Sequence, residues 1–222
     1  ADYADVLAGL DQNDADLRQR LAAKVFSVTA AYDAQIAHYL DPEPFPEQFT
    51  PTYHKRQDLR YGENSHQQAA FYVEPNPDPT SLAAAKQLHG KELSYNNIKD
   101  ADAALAMLRE FKQPAAVAVK HMNPCGIGLG DTLEAAWDKA YAADPMSIFG
   151  GIIALNRRVD LATAEKMHKL FLEIIMAPAF DDDAYEILAK KKNVRLLTIN
   201  TADTPEELGT ETTSIYGGLL IQ

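Results

Sequence analysis

The chain has 222 residues, enough for one domain and part of a second. It is 46% hydrophobic and 24% charged, which is globular usage and too apolar for a disordered chain. Acidic residues outnumber basic ones by 32 to 21, and the net charge of −11 sets up a field that repels nucleic-acid backbones and anionic membranes. The single cysteine, Cys125, excludes an internal disulfide and a cysteine-held structural zinc. Apolar runs such as Ile152–Leu155 fall far short of a membrane span, and the acidic start Ala1–Asp5 lacks the plan of a signal peptide. A soluble, cytoplasmic protein is expected. Lacking an initiator Met, the chain is also expected to be a piece of something longer.

In chain order, a short helical turn precedes one long amphipathic helix. Leu17, Leu21, Val25, Val28, Tyr32, Ile36 and Leu40 step by three or four and share a face. Asn13 or Asp14 can cap this helix, and Pro42 stops it. Pro42, Pro44, Pro46 and Pro51 then make residues 42–59 a linker between a helical segment, 1–41, and a larger unit, 60–222.

From Asp100 onward helices and strands alternate. Helices are expected over Asp100–Phe111, Asp131–Ala142, Asp160–Leu172 and Asp182–Lys191, with Asp131 and Asp160 as caps. Strands are expected over Ala115–Val119, Phe149–Leu155, Ile174–Ala177 and Val194–Ile199. This alternation implies an α/β layered domain with a largely parallel sheet. The stretch Asn200–Ser214 reads as a polar, turn-rich tail, and Gly217–Gln222 as the start of another strand.

In open α/β sheets ligands bind beyond the carboxyl ends of strands. The strand-to-helix loop expected there is Lys120-His121-Met122-Asn123-Pro124-Cys125-Gly126. Histidine exchanges protons near neutral pH, so a cation and an imidazole leaving a strand together are a candidate acid–base pair. Cys125 lacks the second cysteine of a Pro-Cys-x-x-Cys zinc motif, since Gly128 stands there, and a packing role is expected for it. Gly126-Ile127-Gly128-Leu129-Gly130 before a helix could cradle a phosphate, without matching a known phosphate-loop spacing. Arg60-Tyr61-Gly62-Glu63-Asn64-Ser65-His66-Gln67 gathers a guanidinium that can fork onto phosphate or carboxylate and a ring that can stack.

Taken together, five ordered segments resemble one family: Arg60–Gln67, Gly90–Asn97, Lys120–Gly126, Ser147–Asn156 and Glu173–Phe180. They are similar to the AICAR formyltransferase/IMP cyclohydrolase family of bifunctional purine-biosynthesis proteins. The resemblance implies transfer of a formyl group from 10-formyltetrahydrofolate to the 5-amino group of AICAR. It implies His121 as the base, Lys120 as electrostatic stabiliser, and Arg60 and Tyr61 as the pair holding AICAR. Asn97, Phe149, Gly150 and Glu173 follow as further substrate contacts, with no metal required.

It also implies a homodimer and a cytidine-deaminase-like three-layer α/β/α unit. Residues 1–41 would end the cyclohydrolase domain, whose catalytic residues lie before Ala1. Residues 60–222 would be the first half of the formyltransferase domain, with much of the folate site beyond Gln222. A zinc nucleoside deaminase and a non-catalytic interaction module are the alternatives.

Overall fold

The computed structural model describes residues 2–9, 14–201 and 210–222. It divides into two compact units, Ala1–His54 and Lys55–Gln222.

In the first unit, helix α1 (Tyr3–Gly9) precedes helix α2 (Ala15–Leu40). Asp14 caps α2 by accepting the Leu17 N–H at 2.9 Å; Asn13, the other candidate cap, lies outside the described residues. The pair Arg20–Asp5 ties α2 to α1, and Lys24 pairs with Asp2, the residue just before α1. The expected apolar stripe exists, but Val25, Val28, Tyr32 and Leu40 are all more than half exposed within the described chain. From Pro42 to Tyr53 there is no helix or strand, as proline density dictates.

A two-stranded sheet, β1 (His54–Leu59) and β2 (Ala69–Val73), begins at the last residue of the first unit and otherwise lies in the second. The last six residues of the expected linker are therefore strand, formed after the last of its prolines. A six-stranded sheet follows, built from β3 (Lys86–His89), β4 (Ala115–Lys120), β5 (Asn123–Leu129), β6 (Ile152–Leu155), β7 (Ile174–Ala177) and β8 (Arg195–Thr198). Its order is β3-β8-β7-β6-β4-β5. The parallel pairing expected from the alternation is found in the middle, β6-β7-β8. Strands β4 and β3 run against this direction, and β5, antiparallel to β4, runs with it.

Helices cover both faces of this sheet. On one side Ala101, Ala104, Leu105 and Leu108 of α3 (Tyr95–Leu108) pack on Val117, Val119, Ile152, Ala154, Ile174 and Met176. On the other side lie α4 (Leu133–Ala143), α5 (Leu161–His168) and α6 (Asp182–Ala189). There Trp137, Met167 and Leu188 bury against Ala116, Ile153, Ile175 and Leu196. Strand alternation sends odd and even residues of β4 to opposite faces, and both faces are apolar, which is why Ala115–Val119 reads as an unbroken apolar run. Buried Asn156 locks the entry to β4: its Oδ1 accepts the Ala115 N–H at 2.8 Å, and its Nδ2 donates to the carbonyls of Phe111 and Gln113.

Several expectations are corrected. Helix α3 starts at Tyr95 rather than Asp100, because Ser94 and Asn97 form a reciprocal capping box. Thr132, not Asp131, caps α4, since its hydroxyl is the group that accepts the Ala135 N–H. Helix α5 ends at His168 instead of reaching Leu172. Phe149 precedes the strand rather than belonging to it, because Gly150 takes a left-handed φ of 75° and the chain turns there. The expected terminal strand is found as β10 (Gly218–Ile221), paired antiparallel with β9 (Thr212–Ile215). Residues 202–209 of the expected polar tail lie outside the described residues.

Candidate functional site

The loop after β4 is not a strand-to-helix connection. Lys120 and Asn123 are register partners, so the chain reverses through two residues, His121 and Met122, into β5. Both have left-handed backbone, φ 54° and 61°, as a two-residue primed turn requires. Such turns normally use Asn-Gly or Gly-Gly; a non-glycine residue in this region costs about 1–2 kcal/mol. Two hydrogen bonds hold the turn: Asn123 Nδ2 donates to the His121 carbonyl at 2.7 Å, and Met122 N–H donates to Asp100 Oδ1 at 2.9 Å. His121 is exposed at its tip.

The hairpin also removes the phosphate-cradle reading of the glycine run. A Cβ on Gly128 would lie 2.0 Å from the carbonyl oxygen of Ala136, and one on Gly126 would lie 2.1 Å from that of Ala140. These glycines let α4 press directly on β5. Cys125 is half-buried in the same strand; its thiol donates to the Ala118 carbonyl at 3.4 Å, and burial pushes its pKa up. That environment disfavours a free thiolate and fits the packing role expected of Cys125.

Because β4 runs against β6, its carboxyl end meets the amino ends of the three parallel strands. The candidate residues therefore gather at the end opposite to the one that the parallel-sheet rule selects. Lys120 Nζ donates to the Phe149 carbonyl at 3.0 Å, joining the end of β4 to the turn before β6. Phe149 is 57% exposed, and its ring meets that of Phe171 at 5.5 Å between centroids. Gly150 N–H donates to the Phe171 carbonyl at 2.8 Å, and Glu173 N–H to the Gly151 carbonyl at 3.0 Å. Lys120, Phe149, Gly150 and Glu173 thus form one connected rim.

Glu173 does not stand alone. Arg195, at the first position of β8, donates from Nη1 to Glu173 Oε2 at 2.7 Å and from Nε to the carbonyls of Lys91 and Glu92. Sequence reasoning missed Arg195. The available signal was an Arg and a Glu at the starts of two successive apolar strand runs.

Helix α3 connects the remaining candidates. Asn97 sits at its third position, where its Oδ1 accepts the Ser94 N–H and its own N–H reaches Ser94 Oγ. Asn96 Nδ2 donates to the Glu63 carbonyl at 3.3 Å, holding the 60–67 loop against the helix start. Within that loop Gly62 N–H donates to the Gln67 carbonyl, and the Arg60 guanidinium lies 5.8 Å from the Tyr61 ring centroid. The link from Arg60 and Tyr61 to His121 is indirect and runs through α3: Asn96 holds one loop, Asp100 the other. The rim offers a tip imidazole, a strand-end ammonium and an exposed aromatic ring, while the Arg60 guanidinium stands on a loop joined to it only through α3; together these groups suit an anionic, planar ligand and proton transfer.

A family model described as "AICARFT/IMPCHase bienzyme" matches residues 1–222. The bifunctional purine biosynthesis protein PurH of Lacticaseibacillus paracasei is 89% identical over 222 residues, covering all of this chain and 44% of that protein. The PurH proteins of Lactiplantibacillus plantarum and Listeria innocua are 68% and 62% identical, again over the whole chain and 44% of their own length. The chain thus spans less than half the length of these curated relatives. With its full length matched by the family model, the chain belongs to the AICARFT/IMPCHase bienzyme family.

Proposed function

We propose that this chain carries the first half of the formyltransferase site of a bifunctional purine-biosynthesis enzyme. The whole protein would transfer the formyl group of 10-formyltetrahydrofolate to the 5-amino group of AICAR. The observation that carries this reading is the Lys120–His121 pair at the β4 hairpin, on one rim with Phe149, Gly150 and Glu173.

The AICAR amine is a weak nucleophile, because its lone pair is delocalised into the imidazole and carboxamide. His121 takes the amine proton as the new N–C bond forms at the formyl carbon. The bond from that carbon to the folate nitrogen breaks, and that nitrogen takes up the proton that His121 has accepted, which returns the imidazole to its neutral form. Lys120 stabilises the negative charge that develops on the formyl oxygen. Arg60 and Tyr61 hold AICAR, its phosphate needing a local cation in a chain of net charge −11. Asn97, Phe149, Gly150 and Glu173 complete the substrate contacts, and no step calls for a metal.

The wider reading follows the family. Residues 60–222 form one cytidine-deaminase-like unit, joined through the 42–59 linker to the end of a cyclohydrolase domain at 1–41. Further folate contacts come from chain after Gln222, cyclohydrolase chemistry from chain before Ala1, and the working form is a cytoplasmic homodimer. The test is His121→Ala in the full-length protein. Loss of a general base lowers formyl transfer by about 10²–10⁴ while cyclohydrolase turnover persists. Near-normal transfer by the variant would sink this reading.

A further inference from the structure

The His121–Met122 turn adopts a costly backbone with no glycine to relieve it. One of its fastenings, from Asn123, belongs to the same hairpin and moves with it. The other comes from a separate element: Asp100 on α3 accepts the Met122 N–H. Asp100 stands four residues after Asn96, so the two share a helix face, and Asn96 holds the loop that carries Arg60 and Tyr61. One face of α3 thus sets the spacing between that loop and the histidine at the hairpin tip.

We infer that Asp100 is a positioning residue for formyl transfer. By accepting the Met122 N–H it holds the left-handed turn that presents His121, in register with the Arg60–Tyr61 loop. The inference rests on the reading of His121 as the base. Asp100 touches neither substrate nor the proton that moves; it acts through the backbone of the turn. What it requires of residue 100 is an acceptor oxygen, not a charge.

The experiment uses the full-length enzyme and steady-state formyl transfer from 10-formyltetrahydrofolate to AICAR. Asp100→Ala is expected to lower kcat by about 10–100-fold with KM for AICAR within about threefold, because orientation of the base is lost while substrate binding is not. Asp100→Asn keeps an acceptor oxygen and should stay within about threefold of the parent. Met122→Gly, added to Asp100→Ala, should recover about tenfold, because glycine takes φ near +60° without steric cost. A role of Asp100 in charge or in helix stability would not be rescued at residue 122.

Parent-like kcat in Asp100→Ala, equal loss in Asp100→Asn, or no recovery with glycine overturns the inference. Amide exchange at Met122 tests the same bond without a substitution: protection is expected, and unprotected exchange overturns it. A parent enzyme without transferase activity, or an active His121→Ala, instead overturns the functional reading beneath it.

Discussion

Arg195 donates to Glu173 across 2.7 Å while only 12% of its side chain stays exposed. The two residues stand at the amino ends of adjacent parallel strands, where Ile174 and Arg195 are register partners. The same guanidinium reaches the carbonyls of Lys91 and Glu92, so one side chain joins β7, β8 and the loop leaving β3. Replacing Arg195 with Leu strands the Glu173 carboxylate and two carbonyls. The expected loss is about 1–3 kcal/mol, below that of a fully buried pair because Glu173 retains contact with water. Denaturant midpoints of Arg195→Leu, Glu173→Gln and the double variant give the coupling directly. A coupling indistinguishable from zero would remove the pair from the account of this rim.

The closeness of β5 and α4 gives a second expectation. Gly128→Ala places a Cβ 2.0 Å from the carbonyl oxygen of Ala136 and 2.5 Å from the backbone nitrogen of Ala140, and neither can rotate aside. The helix must lift, at about 1–3 kcal/mol or more. Ile127→Ala, at a partly exposed position of the same strand, should cost less than about 1 kcal/mol. Thermal unfolding of the two variants side by side checks this, and equal losses would contradict the close contact.

Acid provides a third. The Ser147 side chain, and then the backbone N–H groups of Ser147 and Met146, hold the Asp144 carboxyl below its usual range. A depressed carboxylate pKa adds stability that is present above the unfolded value of 3.8 and disappears as pH falls through the folded one. The turn from Asp144 to Gly151, which carries Phe149, should therefore loosen below about pH 4 and stay intact from there to neutrality. Amide shifts of Met146 and Ser147 followed through an acid titration report it. A midpoint above the ordinary aspartate value would reverse the assignment.

Much of the sheet was legible because its central strands are short apolar runs between polar caps. Asp160 accepting the Thr163 N–H is the kind of local signal that survives in sequence. Strand β5 was not legible: Asn123–Leu129 holds a proline and two glycines, residues that strands normally avoid. Its glycines answer to a helix that comes later in the chain, which no local pattern encodes. Strand β1, His-Lys-Arg-Gln-Asp-Leu, has no apolar alternation to read. At the site, the Lys120–His121 pair was legible as a cation and an imidazole at a strand end, and the resemblance gave their roles, but Asp100 and Arg195 act through partners 22 residues away in sequence. Such pairs become visible only when strand order and direction are known. The direction of β4 is also what moved the candidate rim to the other end of the sheet.

The pairing of β3 with β8 joins residues 112 positions apart. During synthesis, at about 5–20 residues per second, β3 waits on the order of 10 s for its neighbour, with its edge open to other chains. The hairpin of β4 and β5 and its pairing with β6 need no such delay. Arg195 leaves the ribosome with β8, and it is the residue that clasps the loop at Lys91 and Glu92. The rim is thus completed by the last strand of its sheet to be made, and a nascent chain halted before β8 would carry His121 without the clasp that closes the opposite side.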